Sequence, residues 1–417
     1  MTLFEAFSAA MDRLGPFEPE PRLAAGVSGG ADSMALMLLA REWVQTRGGT
    51  LLALTVDHGL RPESATEASL VHSWAEAAGI ETRVLRATGL HPGPALAERA
   101  RAVRYRLLTQ ACAEAGVAHL VLGHHRGDQV ETVMMRALSG SASRGLAGMA
   151  AVAETAFVRL LRPMLTVPPV QLRAFLRSGG IAWIEDPSNQ DRRALRTRLR
   201  LARADPDGTG IGTQVVAAAA RAAGQQRSRQ DEAVAKILAE RVAIHPEGYA
   251  VLSPGLIEPR ALAAVMRMIA GRPFAPPMNR VAALARTMGP ATLGGVRIVP
   301  AGRLGPGWLL MREARAMDGP VAVCPGAVWD GRFRIVQAAQ DTYQDTYMDG
   351  ALMAALGEAS AEYRDRRGPP AVILRTLPAI RRHGRVIGVP HLGIGDGHWV
   401  VLFHPFNRAA CAPFEVG

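Results

Sequence analysis

A doubly wound parallel α/β sheet, followed by a mainly helical middle domain and a smaller β-rich C-terminal domain, is the fold class this 417-residue sequence predicts. Three observations predict it. Short apolar runs alternate with amphipathic stretches through the first half, the pattern of a parallel sheet covered by helices on both faces. One apolar run passes directly into a glycine-rich loop and then a helix, Ala24-Ala25-Gly26-Val27-Ser28-Gly29-Gly30-Ala31-Asp32-Ser33. A run of turn formers, Ala204-Asp205-Pro206-Asp207-Gly208-Thr209-Gly210-Ile211-Gly212, then interrupts the chain where a linker is expected.

In chain order, the alternation predicts strands near Leu23–Val27, Leu51–Val56, Thr82–Leu85, His119–Leu122 and Phe157–Leu161. Helices between them are expected over about Ser33–Arg47, Ser64–Ala78, Ala95–Ala115 and Asp128–Leu138. Beyond the linker, Gln214–Ile244 reads as one long alanine-rich helix bearing Arg221, Arg227, Arg229 and Arg241. Residues from about 245 to 315 mix helices with strands punctuated by Gly and Pro, including the pair Val296–Pro300 and Trp308–Met311. A Pro/Gly-bearing stretch at 318–326 opens a third, β-rich region. A chain of this length exceeds a single core, and the division expected is 1–205, 206–315 and 316–417.

Lysine plus arginine number 48 against 37 acidic residues, a formal charge of +11 that favours a polyanionic partner. Lys236 is the only lysine. The arginine bias follows equally well from codon usage in a GC-rich genome, yet the planar guanidinium still binds phosphate bidentately. Aromatic residues make up 5%, which argues against extended stacking on single-stranded RNA and for charged grooves. Cys112, Cys324 and Cys411 stand apart, forming neither a disulfide framework nor a Cys-x-x-Cys pair, as suits a reducing cytoplasm. No apolar run approaches the ~20 residues that span a bilayer, so no membrane partner is expected.

The loop at 28–33 has the make-up of a pyrophosphate cradle. Gly29 and Gly30 let the backbone approach a phosphate, and the free amides from Ala31 onward offer donors and the positive end of the helix dipole. Ser28 and Ser33 add hydroxyls. Asp32 would repel a phosphate unless a divalent cation lies between them, which points to a magnesium–nucleotide complex with Asp32 on the metal. The Gly-x-x-x-x-Gly-Lys-Ser/Thr pattern is absent, which excludes an ordinary P-loop.

Three further groups fall at strand ends or on the helices that follow. Asp57 and His58 end the second strand, where they could meet the adenosine or simply form a turn. Glu98, Arg101, Arg104 and Tyr105 share neighbouring turns of one helix, either as surface ion pairs or as an arginine pair aimed at phosphate. Gly123-His124-His125-Arg126-Gly127-Asp128-Gln129-Val130-Glu131 places two histidines at a strand end and two carboxylates one helical turn apart, in the expected ligand crevice. Zinc is the competing reading of that cluster, but a catalytic zinc needs a further ligand, and magnesium already explains acids near a nucleotide. A last segment, Glu185-Asp186-Pro187-Ser188-Asn189, precedes the basic run Arg196, Arg198, Arg200, which is either a solvated charge cluster or a face of the cleft.

The loop at 28–33 resembles that of the ATP pyrophosphatases, which cleave ATP to AMP and pyrophosphate. The ordered set of Ser28 to Ser33, Val56 to Arg61, Ala100-Arg101 with Arg104-Tyr105, His124 to Thr132, Arg162-Pro163 and Glu185 to Asn189 resembles bacterial tRNA(Ile)-lysidine synthetases. The likeness is firm over about residues 20–200 and continues more weakly through Thr292-Leu293-Gly294-Gly295, Arg312-Glu313, Leu377-Pro378-Ala379-Ile380 and Val389-Pro390.

The resemblance implies the N-type ATP pyrophosphatase fold and a ligase that uses ATP and Mg²⁺. Its substrates would be an isoleucine tRNA with a CAU anticodon and free L-lysine, with homodimerisation compatible. ATP would adenylate the wobble cytosine, and the lysine ε-amine would displace AMP. It puts Ser28, Gly29, Gly30, Ala31, Asp32, Ser33, Asp57, His58, Gly123 and His124 on the nucleotide. It puts His125, Asp128, Glu131, Glu185, Asp186, Arg196 and Arg200 on the substrates, with Asp32, Asp128, Glu131, Arg101 and Arg104 catalytic. Departures from the family pattern are Gly127 where a second aspartate is usual, Ser139-Gly140-Ser141-Ala142 in the next loop, and Arg196-Thr197 in place of an Arg-Asn pair. Two other functions compete: a different tRNA-modifying enzyme of the same superfamily, such as a sulfur transferase, and a non-catalytic nucleotide-responsive RNA-binding protein. Scattered cysteines speak against thiolation.

Overall fold

The computed structural model describes every residue except 1, 92, 142, 156–157, 186–193, 338–349, 366–367, 396–398, 406 and 411–417. By internal contacts the chain forms two compact units that divide between Arg229 and Gln230. Among the described residues no helix is long and apolar enough to cross a membrane.

In the first unit, α1 (Leu3–Arg13) precedes the alternating series β1 (Arg22–Gly26), α2 (Ala31–Gln45), β2 (Thr50–Asp57), α3 (Ser64–Ala77), β3 (Glu81–Arg86), α4 (Leu96–Glu114), β4 (His119–Leu122) and α5 (Arg126–Leu138). There follow α6 (Ser143–Leu146), β5 (Val152–Glu154), β6 (Arg159–Leu161), α7 (Pro169–Ser178), α8 (Leu195–Arg203) and α9 (Ile211–Arg241). The strands join as β3-β2-β1-β4-β6-β5, parallel throughout except that β5 runs antiparallel to β6. Period-two alternation explains the two layers. Leu23, Ala25, Leu51, Ala53 and Val121 pack into a core with α1, α2 and α7, while Ala24, Leu52, Leu54, Leu120 and Leu122 pack with α4 on the other face. The expected strand from Phe157 begins instead at Arg159, Phe157 itself lying outside the described residues.

This order has one consequence for function. Connections lead from β1 outward to β2 and β3, then return to β4 on its other side, so the strand order reverses between β1 and β4. The crevice outside the carboxyl ends of those two strands is where a doubly wound sheet binds ligands. The loop at 28–33 and the run from Gly123 both open there.

The second unit begins within α9. That helix was expected to reach Ile244 but ends at Arg241, because β7 (Val242–His245) pairs antiparallel with β8 (Tyr249–Leu252) around a turn whose Gly248 has φ +81°. Arg241 donates to the carbonyls of Ser253, Pro254 and Leu256 at this junction. With α10 (Pro259–Ala270), α11 (Met278–Arg286), β9 (Ala291–Leu293), β10 (Val296–Pro300) and β11 (Trp308–Arg312), an antiparallel sheet forms in the order β7-β8-β11-β10-β9. The expected pairing of Val296–Pro300 with Trp308–Met311 is that of β10 with β11.

The remainder is β12 (Val321–Ala322), β13 (Val328–Trp329), β14 (Phe333–Gln337), β15 (Leu352–Ala355), α12 (Ala371–Leu374), β16 (Pro378–Arg382), β17 (Arg385–Gly388) and β18 (Trp399–Phe403). They form two small antiparallel sheets, β12-β15-β16-β17 and β13-β14-β18.

A fully buried charge cluster ties this unit together. Arg312 Nε donates to Asp330 Oδ2 at 3.0 Å and its Nη2 to Oδ1 at 3.0 Å, while Arg332 Nε donates to Oδ2 at 2.8 Å; none of the three side chains is exposed. Burial pulls the Arg332 pKa down to about 10 even with Asp330 beside it. Asp330 also sits at φ +53°, a conformation asparagine shares readily. Asp330→Asn should therefore keep the backbone, leave two buried guanidinium groups without their counter-charge, and cost about 3–5 kcal/mol. Denaturant unfolding of the variant beside the parent measures that loss.

Candidate active site

β1 ends at Gly26, and Val27 keeps the strand direction by donating its amide to Leu54 O at 2.9 Å. The chain then turns sharply: Ser33 Oγ accepts from the Ser28 amide at 3.1 Å and donates to Gly30 O at 2.9 Å, so one hydroxyl closes the loop. Gly29 has φ +85°, and a Cβ there would lie 2.7 Å from Ile184 Cδ1 and 2.8 Å from Val71 Cγ2. The Ile184 amide in turn donates to Gly29 O at 2.8 Å. Gly30 caps α2 with no side-chain hydrogen bond, which leaves the first amides of the helix aimed into the crevice. Gly123 lets β4 come close, since a Cβ there would stand 3.2 Å from the Asp32 carbonyl. These features fit a nucleotide phosphate. Asp32, with its side chain 38% exposed and His125 Nε2 at 3.4 Å, keeps carboxylate surface for a cation.

α5 starts two residues before its expected position because His125 and Asp128 cap it. The Gly127 amide donates to His125 Nδ1 at 3.0 Å, and Asp128 Oδ2 accepts from the His125 amide at 3.0 Å. His125 Nε2 then faces Asp32 Oδ2 at 3.4 Å and Asp128 Oδ2 at 3.6 Å. Burial works against a charged ring, but Asp128, Asp32 and Glu131 together raise the His125 pKa above its ordinary value. Donation from Gly127 reserves Nδ1 as an acceptor, so the ring presents its proton from Nε2 to the two aspartates. A Cβ at position 127 would approach His125 Cε1 to 2.8 Å, so the glycine that departs from the family pattern makes room for this ring.

Asp128 and Glu131 receive the arginines of α8. Arg196 donates from Nε to Glu131 Oε2 at 2.6 Å and from Nη2 to Asp128 Oδ1 at 2.8 Å. Arg200 donates from Nε to Glu131 Oε1 at 2.8 Å, and Arg203 gives Nη1 to Gly127 O at 3.2 Å. Glu131 is 1% exposed. For Asp128, burial opposes ionisation, but His125, Arg196, His124 and the His125 amide outweigh it and lower its pKa. Bonding to Glu131 raises that of Arg200.

Beside this acid group lies a region rich in positive charge and short of acceptors. Burial, then Arg101 and Arg196, lower the Arg104 pKa, and no described carboxylate pairs with it. Arg101 donates to Tyr105 Oη at 3.2 Å and lies over its ring. Burial drives the His124 pKa down to about 3, and burial with Arg104 lowers that of His58. Among the described residues neither buried Nδ1 has a hydrogen-bond partner.

Most of the expected residues therefore meet in one crevice: the loop 28–33, Gly123 to His125, Asp128, Glu131, Arg196, Arg200, and by charge Arg101, Arg104 and His58. Others do not. Asp57 accepts from the Gly59 amide at 2.9 Å and shapes a turn, the source of its lowered pKa. Glu98 is exposed, as is Glu185, which accepts the Trp183 indole N–H at 3.3 Å. Asp186 lies outside the described residues. Arg203 and Ile184 were not anticipated; the spacing 196, 200, 203 on one helix face would have revealed Arg203.

Fold and loop together define a PP-loop ATP-binding protein, and the family model ATP_bind_3, described as a PP-loop domain, matches residues 4–204. A tRNA(Ile)-lysidine synthase of Bradyrhizobium sp. (strain BTAi1) is 40% identical over 302 residues, covering 69% of this chain and 81% of its own. Another, from Ruegeria pomeroyi, is 35% identical over 398 residues and 91% of both chains. The chain belongs to the tRNA(Ile)-lysidine synthase family. Among solved structures, the U34-tRNA thiolase NcsA from Methanococcus maripaludis matches 53% of this chain and 78% of its own at 18% identity, with a TM-score of 0.45.

Two outcomes follow from this geometry. Gly29→Ala should abolish ATP binding while leaving the fold, because its methyl group and the left-handed φ both displace the loop; fluorescence titration with ATP and a thermal melt separate the two effects. His124 is neutral in the folded chain down to about pH 3 but takes a proton near 6.5 when unfolded. The unfolded state thus binds more protons between those values, and stability falls as pH drops through that window by up to about 1.4 kcal/mol per unit. His124→Gln should flatten that part of a stability–pH profile.

Proposed function

We propose that the chain joins the ε-amine of free L-lysine to the wobble cytidine of a CAU-anticodon isoleucine tRNA, with ATP converted to AMP and pyrophosphate, to form lysidine in the cytoplasm. The observation that carries this reading is the meeting of a phosphate cradle with a carboxylate–arginine cluster at one topological switch point, in a chain of the lysidine synthase family. ATP is the energy source its PP-loop serves.

Ser28, Gly29, Gly30, Ala31 and Ser33 would hold the phosphates through backbone amides and hydroxyls, with Asp32 on Mg²⁺ to screen the leaving pyrophosphate. His58, Gly123 and His124 would line the rest of the nucleotide, the unpartnered imidazole nitrogens offering hydrogen bonds. Arg104, whose charge no described carboxylate offsets, and Arg101 would meet the phosphates. A free amine with an ordinary pKa of ~10.4 must lose a proton before it attacks. Asp128, held ionised by its neighbours, would orient that amine, and Glu131 beside it is the second acid of the pair. The basic balance of the chain would carry tRNA, with residues beyond 205 supplying recognition.

The test is transfer of labelled lysine to unmodified CAU-anticodon isoleucine tRNA with ATP and Mg²⁺, scored after mild base removes aminoacyl esters. Base-stable, ATP-dependent label is the expected result. AMP release without base-stable label overturns the lysine assignment in favour of another nucleophile. In the same assay Asp32→Ala should lower adenylation at least about a hundredfold. Asp128→Asn should spare adenylation and block lysine transfer, whereas equal mild losses in both variants would sink this division of roles.

A further inference from the structure

We propose that Arg196 and Arg200 of α8 occupy the acid pair as stand-ins for the lysine ammonium, and that lysine and the anionic nucleotide bind together by exchanging these ion-pair partners. The inference rests on the reading of Asp128 and Glu131 as the lysine site.

Charge makes the first argument. Asp128 and Glu131 are bonded by Arg196 and Arg200, so these four groups sum to zero charge, and Arg203 stands 4.0 Å from Glu131 as a further cation. Lysine arriving alone adds a cation to a region that already holds Arg101, Arg104 and Arg203. A triphosphate arriving alone draws the arginines toward itself and strips counter-charge from Glu131, which at 1% exposure cannot turn to water. Arriving together, the ammonium takes the carboxylates and the guanidinium groups take the phosphates, and every charge keeps a partner.

The attachment of α8 makes the second argument. Its leucines do not anchor it: Leu195 is 40% and Leu201 52% exposed, and Leu199 belongs to neither buried apolar cluster of the sheet. Polar bonds hold the helix, with Arg196, Arg200 and Arg203 on the side facing α5. A helix fixed by arginine–carboxylate bonds can exchange them for ligand bonds without opening an apolar core. Arg203, bonded to the Gly127 and Asp205 carbonyls, provides the fixed end about which the other two arginines turn.

Equilibrium dialysis of labelled lysine against the full chain tests this, with tRNA(Ile) and Mg²⁺ present and a non-hydrolysable ATP analogue added or omitted. The expected result is lysine binding at least about tenfold tighter with the analogue, the size of a typical coupling between sites. In Arg200→Gln that ratio should shrink toward one through tighter binding without nucleotide, and Arg200→Lys, which keeps the charge, should restore it. Equal lysine affinity with and without nucleotide in the parent chain, or an unchanged ratio in Arg200→Gln, overturns the exchange and leaves the lysine site standing. Lysine binding that survives Asp128→Asn undiminished, or no lysine binding under any condition, overturns the site itself and the exchange with it.

Discussion

A carboxylate buried to 1% exposure governs the catalytic half of this molecule. A charge in such a place needs cations around it, since an unpaired buried charge costs several kcal/mol. The two oxygens of Glu131 take Arg196 and Arg200. That requirement determines where α8 lies, and the same arginines bring Asp128 into the group. Asp128 in turn caps α5 and meets His125, whose other contact is Asp32 on the phosphate loop. A chain of polar contacts thus runs from the nucleotide cradle to the acid pair within one crevice.

The backbone supplies the matching constraint. Because strand order reverses between β1 and β4, two loops that are about ninety residues apart in sequence open side by side. Close approach is allowed only by missing side chains. Gly29 passes under Ile184 and Val71, Gly123 lies against the carbonyl of Asp32, and Gly127 admits the His125 ring. The free amides of α2 then point where a phosphate would sit, and Arg104, with no described carboxylate paired to it, adds positive charge near Arg101 and Arg196. The crevice is built with a basic side and an acidic side in contact.

Much of this was legible in the chain. The five parallel strands of the sheet lie within one or two residues of their expected apolar runs, because period-two burial leaves a clear pattern, whereas the short antiparallel β5 (Val152–Glu154) was not expected. The phosphate loop was readable because glycine, serine and a helix start have few other uses in that order. Less could be read where charge, not hydrophobicity, sets the arrangement. α8 turns Arg196, Arg200 and Arg203 toward α5 and leaves Leu195 and Leu201 exposed, so its sequence resembles a solvated basic run. Asp57, which the sequence left open between a ligand and a turn former, accepts the Gly59 amide in a turn. In the second unit, Val242–His245 continues a helical pattern yet becomes a strand because β8 pairs with it.

The sequence by itself determined the parallel sheet, the nucleotide loop and the list of polar residues at strand ends, since each depends on local periodicity or on backbone freedom at particular glycines. Only the tertiary structure decided how those residues pair. Asp128 and Glu131 could have faced water, a metal or a substrate, and nothing in their spacing distinguishes these. Bringing α8 against α5, 65 residues apart at the Arg196–Glu131 bond, gave both acids their cations. Burial made that pairing obligatory, because electrostatic cost depends on the distance to solvent and counter-charge, and such distances exist only in the folded chain.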